Sequence, residues 1–130
     1  FHILRESRRN HFPRKGGDGV VVVTEEMLVE MANTIAREID PQAVILFGSR
    51  ATGRASDQSD VDLLVVDSKP FDRERGRVDV SVLLWKALSR FPVPKDILVY
   101  SRDEIQKWRG FRNHIVAQAL REGRVLYGSI

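Results

Sequence analysis

Met27, Leu28, Met31, Ile35 and Ile39 recur at steps of one, three and four residues, the spacing that gathers side chains on one face of a helix. Glu25, Glu26, Glu30 and Arg37 fall largely on the rest of the surface, Thr24 suits the N-cap, and Asp40-Pro41 stops the helix. Both methionines read as core. Ahead of this helix, Val20–Val23 is a short β-branched run; after it, the continuous apolar stretch Ala43–Phe47 predicts a buried strand that turns at Gly48. Val61–Val66 predicts the next strand. Between Phe71 and Phe91 a stripe of Val78, Val82, Trp85 and Leu88 favours a helix, although Val78–Val82 also alternates like a strand and Gly76 weakens the helical reading. Asp96–Tyr100 predicts a third strand, and Ser101 followed by Glu104 has the spacing of a capping box, so a helix begins there. A further helical stretch near residues 113–122 ends at Gly123, a natural C′ residue, before Val125-Leu126-Tyr127. This alternation predicts an α+β fold, a mixed sheet flanked by helices.

With 130 residues, 42% of them hydrophobic, the chain suits a single core. No internal repeat or linker divides it. No apolar run approaches the roughly 18 residues of a membrane span, and the first residues are basic and mixed, so a cytoplasmic protein without a membrane partner is expected. The absence of cysteine excludes disulfides, thiolate metal sites and thiol nucleophiles, and agrees with a reducing compartment. The net charge of +3 is concentrated at one end. Residues 1–17 read as a basic tail with Arg5, Arg8, Arg9, Arg14 and Lys15 against Glu6 alone, and residues 18–130 as the domain. Taking that tail's five basic and one acidic side chains from totals of 21 and 18 leaves 16 and 17, so the body is not basic and nucleic acid is not its expected partner.

The segment FGSRATGRASDQSDVDLLVV, residues 47–66, carries the candidate chemistry. On a strand, Asp60 and Asp62 share one face while Val61 and Leu63 enter the core, which fixes the two carboxylates rigidly. Ionised carboxylates about 5 Å apart repel by about 3 kcal/mol at an effective dielectric of 20, and a divalent cation reverses that repulsion. An all-oxygen donor set suits magnesium or manganese, which complete their shells with water and phosphate. The plain alternative is two polar residues at a strand mouth. A calcium loop fails, because Val61 stands where an oxygen ligand is required and the sixth position lacks glycine. Gly48-Ser49 lets backbone approach a phosphate closely and adds a hydroxyl donor, although an ordinary tight turn would look the same. Gly48 and Gly53 have P-loop separation, but Arg54 and Ala55 replace the lysine and the hydroxyl residue that motif needs.

Phe47-Gly48-Ser49, ten residues, then Asp60-Val61-Asp62 opening Leu-Leu-Val-Val resembles the signature of the DNA polymerase β-like nucleotidyltransferase superfamily. Arg-Ala-Thr-Gly after the serine, a third strand and the closing Glu-Gly-Arg-Val-Leu-Tyr-Gly resemble its minimal nucleotidyltransferases (MNT), over roughly residues 24–128. The resemblance implies transfer of AMP from ATP to an acceptor hydroxyl with release of pyrophosphate. It implies two magnesium ions bridged by Asp60 and Asp62. A third carboxylate, Asp96 in Pro-Lys-Asp-Ile-Leu-Val-Tyr, would bind the metal beside the acceptor and could take its proton; Asp79 is the competitor for that place. Gly48 and Ser49 would hold the β and γ phosphates. Arg50 could neutralise the triphosphate or simply be a solvated arginine, and Arg54, Ser59 and Lys95 receive no role.

Larger relatives carry an additional domain for the acceptor, and 130 residues leave no room for one. The small members stand beside a helical HEPN-type RNase toxin and act as its antitoxin, which implies a tyrosine of that toxin as acceptor. Two other readings are a non-catalytic binding module that neutralises a partner by contact, and a small-molecule nucleotidyltransferase whose missing surface a homo-oligomer could supply. Trp85, Trp108 and Phe111 could line a partner surface, though helix-spaced aromatics more often belong to a core.

Overall fold

The computed structural model describes residues 3–5, 22–56 and 59–130, and backbone alone for 3–5. The run Val20–Val23 and the basic tail therefore lie mostly outside the described residues. Ten elements follow in chain order: β1 (Ile3–Arg5), α1 (Glu25–Ile39), β2 (Ala43–Phe47), α2 (Ser49–Thr52), β3 (Val61–Asp67), α3 (Arg77–Ala87), β4 (Lys95–Ser101), α4 (Arg102–Trp108), α5 (Ile115–Glu122) and β5 (Arg124–Gly128).

The strands form one mixed sheet in the order β1-β4-β3-β2-β5. Only the central β3–β4 pair is parallel, joined by the crossover through α3, and the other neighbours are antiparallel. Alternation along the strands divides the core in two. Val44, Leu46, Leu63, Val65, Ile97 and Val99 pack beneath α1 and α3, while Ala43, Ile45, Leu64, Val66, Leu98 and Tyr100 pack beneath α4 and α5. Strands β3 and β4 are covered on both faces, which is why they read as nearly unbroken apolar runs.

Helix α1 forms where the periodicity places it. The Thr24 hydroxyl accepts from the Met27 amide at 3.1 Å, and Asp40 ends the helix in the left-handed conformation. The capping box of α4 closes reciprocally: the Ser101 amide donates to Glu104 Oε1 at 3.0 Å, and the Glu104 amide donates to Ser101 Oγ at 3.3 Å. Helix α3 exists, but its buried side meets the expected stripe only at Leu88. Val80, Ser81, Leu84 and Leu88 face the core, whereas Val78 is 50% exposed. Apolar residues surround this helix, so periodicity alone could not phase it, and the start at Gly76 brings Val80 and Leu84 inward.

Gly123 differs from expectation too. It follows α5 in extended conformation, with φ −81°, not as a left-handed cap. Glycine is needed there for space: an added Cβ would meet Ile45 Cγ2 at 2.5 Å and Leu46 O at 3.0 Å, so the chain leaves α5 hard against β2 before pairing with it as β5.

Candidate active site

The parallel register sets Asp62 of β3 opposite Asp96 of β4, and Asp60 directly precedes β3. One oxygen from each of Asp60, Asp62 and Asp96 lies within 4.8 Å of the others, and Asp60 and Asp96 are each only 7% exposed. At 4.8 Å two unit charges repel by about 3.5 kcal/mol at an effective dielectric of 20, a repulsion that a divalent cation between them reverses. The donor set, oxygen only and convergent from adjacent strands, fits magnesium or manganese and offers nothing to a soft metal. Asp79, the competing carboxylate, is engaged elsewhere: its Oδ2 accepts from the Gly76 amide at 3.0 Å and caps α3.

Gly48 makes this arrangement possible. It directly follows Phe47, whose Cα partner across the sheet is Asp62. Its φ of 73° and ψ of −158° lie in a region essentially reserved for glycine. A Cβ there would fall 3.2 Å from Asp62 Cγ, and nearer still to Oδ2, so the missing side chain leaves room for the carboxylate against the turn. The short helix α2 then starts at Ser49, and by position the first amides of a helix lack partners within it. The Gly48 carbonyl accepts from Ala51 and Thr52, which fixes the turn.

Arg50 follows Ser49 in α2 and reaches the backbone of the loop ahead of β3. Its Nε and Nη2 donate to the Ser59 carbonyl at 3.2 and 2.8 Å, and Nη2 also reaches the Ser56 carbonyl at 3.4 Å. The guanidinium thus ties α2 to the backbone one residue before Asp60. Lys95, which the sequence left without a role, is fully buried, with Nζ donating to the carbonyls of Phe91 at 3.1 Å and Val93 at 3.0 Å. The Val61 amide donates to the Pro94 carbonyl at 3.0 Å, so the turn ahead of β4 is pinned to the start of β3. Together these contacts hold the segments that carry Asp60 and Asp96. The one available signal for Lys95, a lysine between Pro94 and an apolar strand, does not show which carbonyls it would meet.

Comparison with known proteins agrees with this geometry. The family described as "Polymerase beta, Nucleotidyltransferase" matches residues 30–129. A protein of Methanocaldococcus jannaschii named "Putative protein adenylyltransferase" is 37% identical over 87 residues, which cover 65% of this chain and 76% of the relative. Among solved structures, a "putative nucleotidyltransferase" from Sulfolobus solfataricus aligns with a TM-score of 0.52 at 19% identity, over 80% of this chain and 83% of that one, and shares the fold. A structure described as the tri-AMPylated Shewanella oneidensis HEPN toxin in complex with MNT antitoxin aligns at 0.45 and 18% identity, over 82% of this chain and 74% of that one. With the family match running from within α1 to just past β5, this chain belongs to the polymerase β-type nucleotidyltransferase family.

Proposed function

We propose that this protein transfers AMP from ATP to a tyrosine hydroxyl on a partner protein, a HEPN-type RNase toxin, and acts as its antitoxin. The observation that carries the chemistry is the convergence of Asp60, Asp62 and Asp96 beside the Gly48 turn. Protein as acceptor is supported by the relative named for protein adenylyl transfer, and the toxin by the minimal-transferase signature in residues 47–66.

In this reading Asp60 and Asp62 would hold magnesium as shared ligands, and Asp96 would complete the set on the acceptor side. The metal, when bound, offsets the charge of the triphosphate and polarises the α-phosphoryl group. Gly48 and Ser49 bind the β and γ phosphates through backbone amides and the serine hydroxyl, which leaves the α-phosphorus facing the carboxylates. Asp96 accepts the tyrosine proton. The tyrosine oxygen forms a bond to the α-phosphorus as the bond from that phosphorus to the bridging oxygen breaks, and pyrophosphate leaves. Arg50 and Lys95 hold the segments that present the carboxylates. ATP as donor also suits the cytoplasm.

Incubation of the protein with α-labelled ATP, magnesium and its toxin partner tests this reading. Label is expected on a toxin tyrosine and is lost with Asp60→Ala. Neutralisation of the toxin that survives Asp60→Ala, with no label transferred by the wild type, would instead establish a module acting by contact.

A further inference from the structure

Residues 105–121 contain Lys107, Arg109, Arg112 and Arg121 and no acidic residue. They span most of α4, the link to α5 and nearly all of α5. At this junction Arg109, Gly110, Arg112, Ala117, Leu120 and Arg121 line an open cavity of about 490 Å³. Four arginines elsewhere meet carboxylates, Arg75 with Asp67, Arg77 with Glu104, Arg90 with Glu30 and Arg124 with Glu25, while Arg50, Arg54 and Arg102 donate to neutral groups. Arg109, Arg112 and Arg121 have no such partner among the described residues. Arg121 Nη1 instead donates to the Arg112 carbonyl at 3.2 Å, which ties the two walls of the cavity together.

The position of the cavity bears on the reaction. Helix α5 covers the sheet face that carries Leu64, Val66, Leu98 and Tyr100, and by alternation Asp62 and Asp96 project from that same face. The end of α5 that bears Arg121 runs through Gly123 against Leu46, whose sheet partner is Arg124. Leu46 precedes Phe47, whose sheet partner is Asp62, so this end of α5, which bears Arg121, lies toward the carboxylate end of the sheet.

We propose that this arginine-lined cavity docks an acidic segment of the protein acceptor, a proposal that rests on the adenylyl-transfer reading and names the chemistry of its partner. Guanidinium groups match carboxylates in a two-pronged geometry, and the Ala117 and Leu120 floor accepts the methylenes of glutamate. A long polyanion such as RNA needs a broad basic face, whereas residues 18–130 hold 16 basic and 17 acidic side chains, leaving a local rather than a global positive surface. Phe111, 56% exposed on the same link, adds an apolar contact at the rim.

The test uses a labelled peptide with tyrosine among glutamates, its glutamine counterpart and a short oligouridylate RNA, titrated by fluorescence anisotropy at low and moderate salt. The acidic peptide is expected to bind wild type about tenfold more tightly than the neutral one, and Arg109→Gln/Arg112→Gln to remove that preference. Both side chains are exposed, so the fold should persist, which thermal unfolding checks. Mg-ATP affinity should be the same in wild type and variant. Equal binding of the two peptides, an unchanged preference in the variant, or RNA bound more tightly than the acidic peptide through these arginines overturns the proposal. Loss of Mg-ATP binding by the wild type would instead count against the adenylyl-transfer reading, independently of the peptide result.

Discussion

Replacement of Gly48 by alanine separates two effects that the turn combines. The first is backbone strain. At φ 73° and ψ −158° a non-glycine residue costs about 1–3 kcal/mol. The second is displacement: the new methyl would sit 3.2 Å from Asp62 Cγ and closer to Oδ2, so the carboxylate must leave its rotamer, at about 1 kcal/mol. Together these amount to about 2–4 kcal/mol, which for a domain of this length lowers Tm by about 7–15 °C. The functional effect should be larger in proportion, since moving a ligand by about 1 Å costs on the order of 100-fold in rate. Gly53→Ala is the control: Gly53 also has positive φ, 79°, but an added Cβ meets nothing within 4 Å, so it should lose about 1 kcal/mol and keep Mg-ATP affinity. In an Asp62→Ala background, Gly48→Ala should lose only the strain component. Thermal unfolding and Mg-ATP calorimetry on these variants decide the matter. Wild-type Mg-ATP affinity in Gly48→Ala, or an identical Tm loss with and without the Asp62 carboxylate, would refute the claim that Gly48 makes room for a ligand.

Other consequences are as direct. The Tyr100 hydroxyl is buried with no hydrogen-bond partner among the described residues, and burial, opposed by Arg77 and reinforced by Glu104, pushes its pKa up to about 12. Tyr100→Phe should therefore be neutral or stabilising by up to about 1 kcal/mol, a Tm rise of as much as roughly 4 °C in a melting curve. His114 Nδ1 accepts from the Val116 amide at 3.0 Å and caps α5, and burial holds the His114 pKa below its ordinary value of 6.5. Because the unfolded chain binds that proton more readily, this contribution is full above pH 6.5 and is lost as pH falls through the lower folded value. Tm measured between pH 7.5 and 5.5 should fall with acid, and His114→Asn, which keeps a capping acceptor, should flatten the profile. Arg50→Met should weaken Mg-ATP binding and slow transfer about tenfold through the loosened Ser59 backbone, with Arg50→Lys partly restoring both; an unchanged rate in Arg50→Met would show the tether to be dispensable.

Much of the architecture was legible because periodicity and punctuation coincide. Thr24 and Asp40-Pro41 bound α1, Ala43–Phe47 is β2 residue for residue, and Ser101 with Glu104 opens α4. Where all sides of an element are apolar, as in α3, its phase was set by packing that no local pattern contains. The three-residue strand β1 is too short to leave a periodic signal, and its pairing with β4 spans nearly the whole chain. In the candidate site, residue spacing put Asp60 and Asp62 on one face, but Asp96 came from family resemblance, and only the parallel register brings it opposite Asp62. Side-chain reach was least legible. Nothing in the sequence aims Arg50 at the Ser59 carbonyl or Lys95 at those of Phe91 and Val93, because each contact depends on how a loop closes.

The central claim is that Asp60, Asp62 and Asp96 make one magnesium-nucleotide site with the Gly48 turn. Calorimetric titration of ATP into the wild type and into Asp60→Asn/Asp62→Asn, each with and without magnesium, tests it most directly. The wild type should bind ATP tightly only with magnesium, and the double variant should lose that metal-dependent gain while its melting curve stays cooperative. Equal ATP affinity in the two proteins with magnesium present would contradict the account.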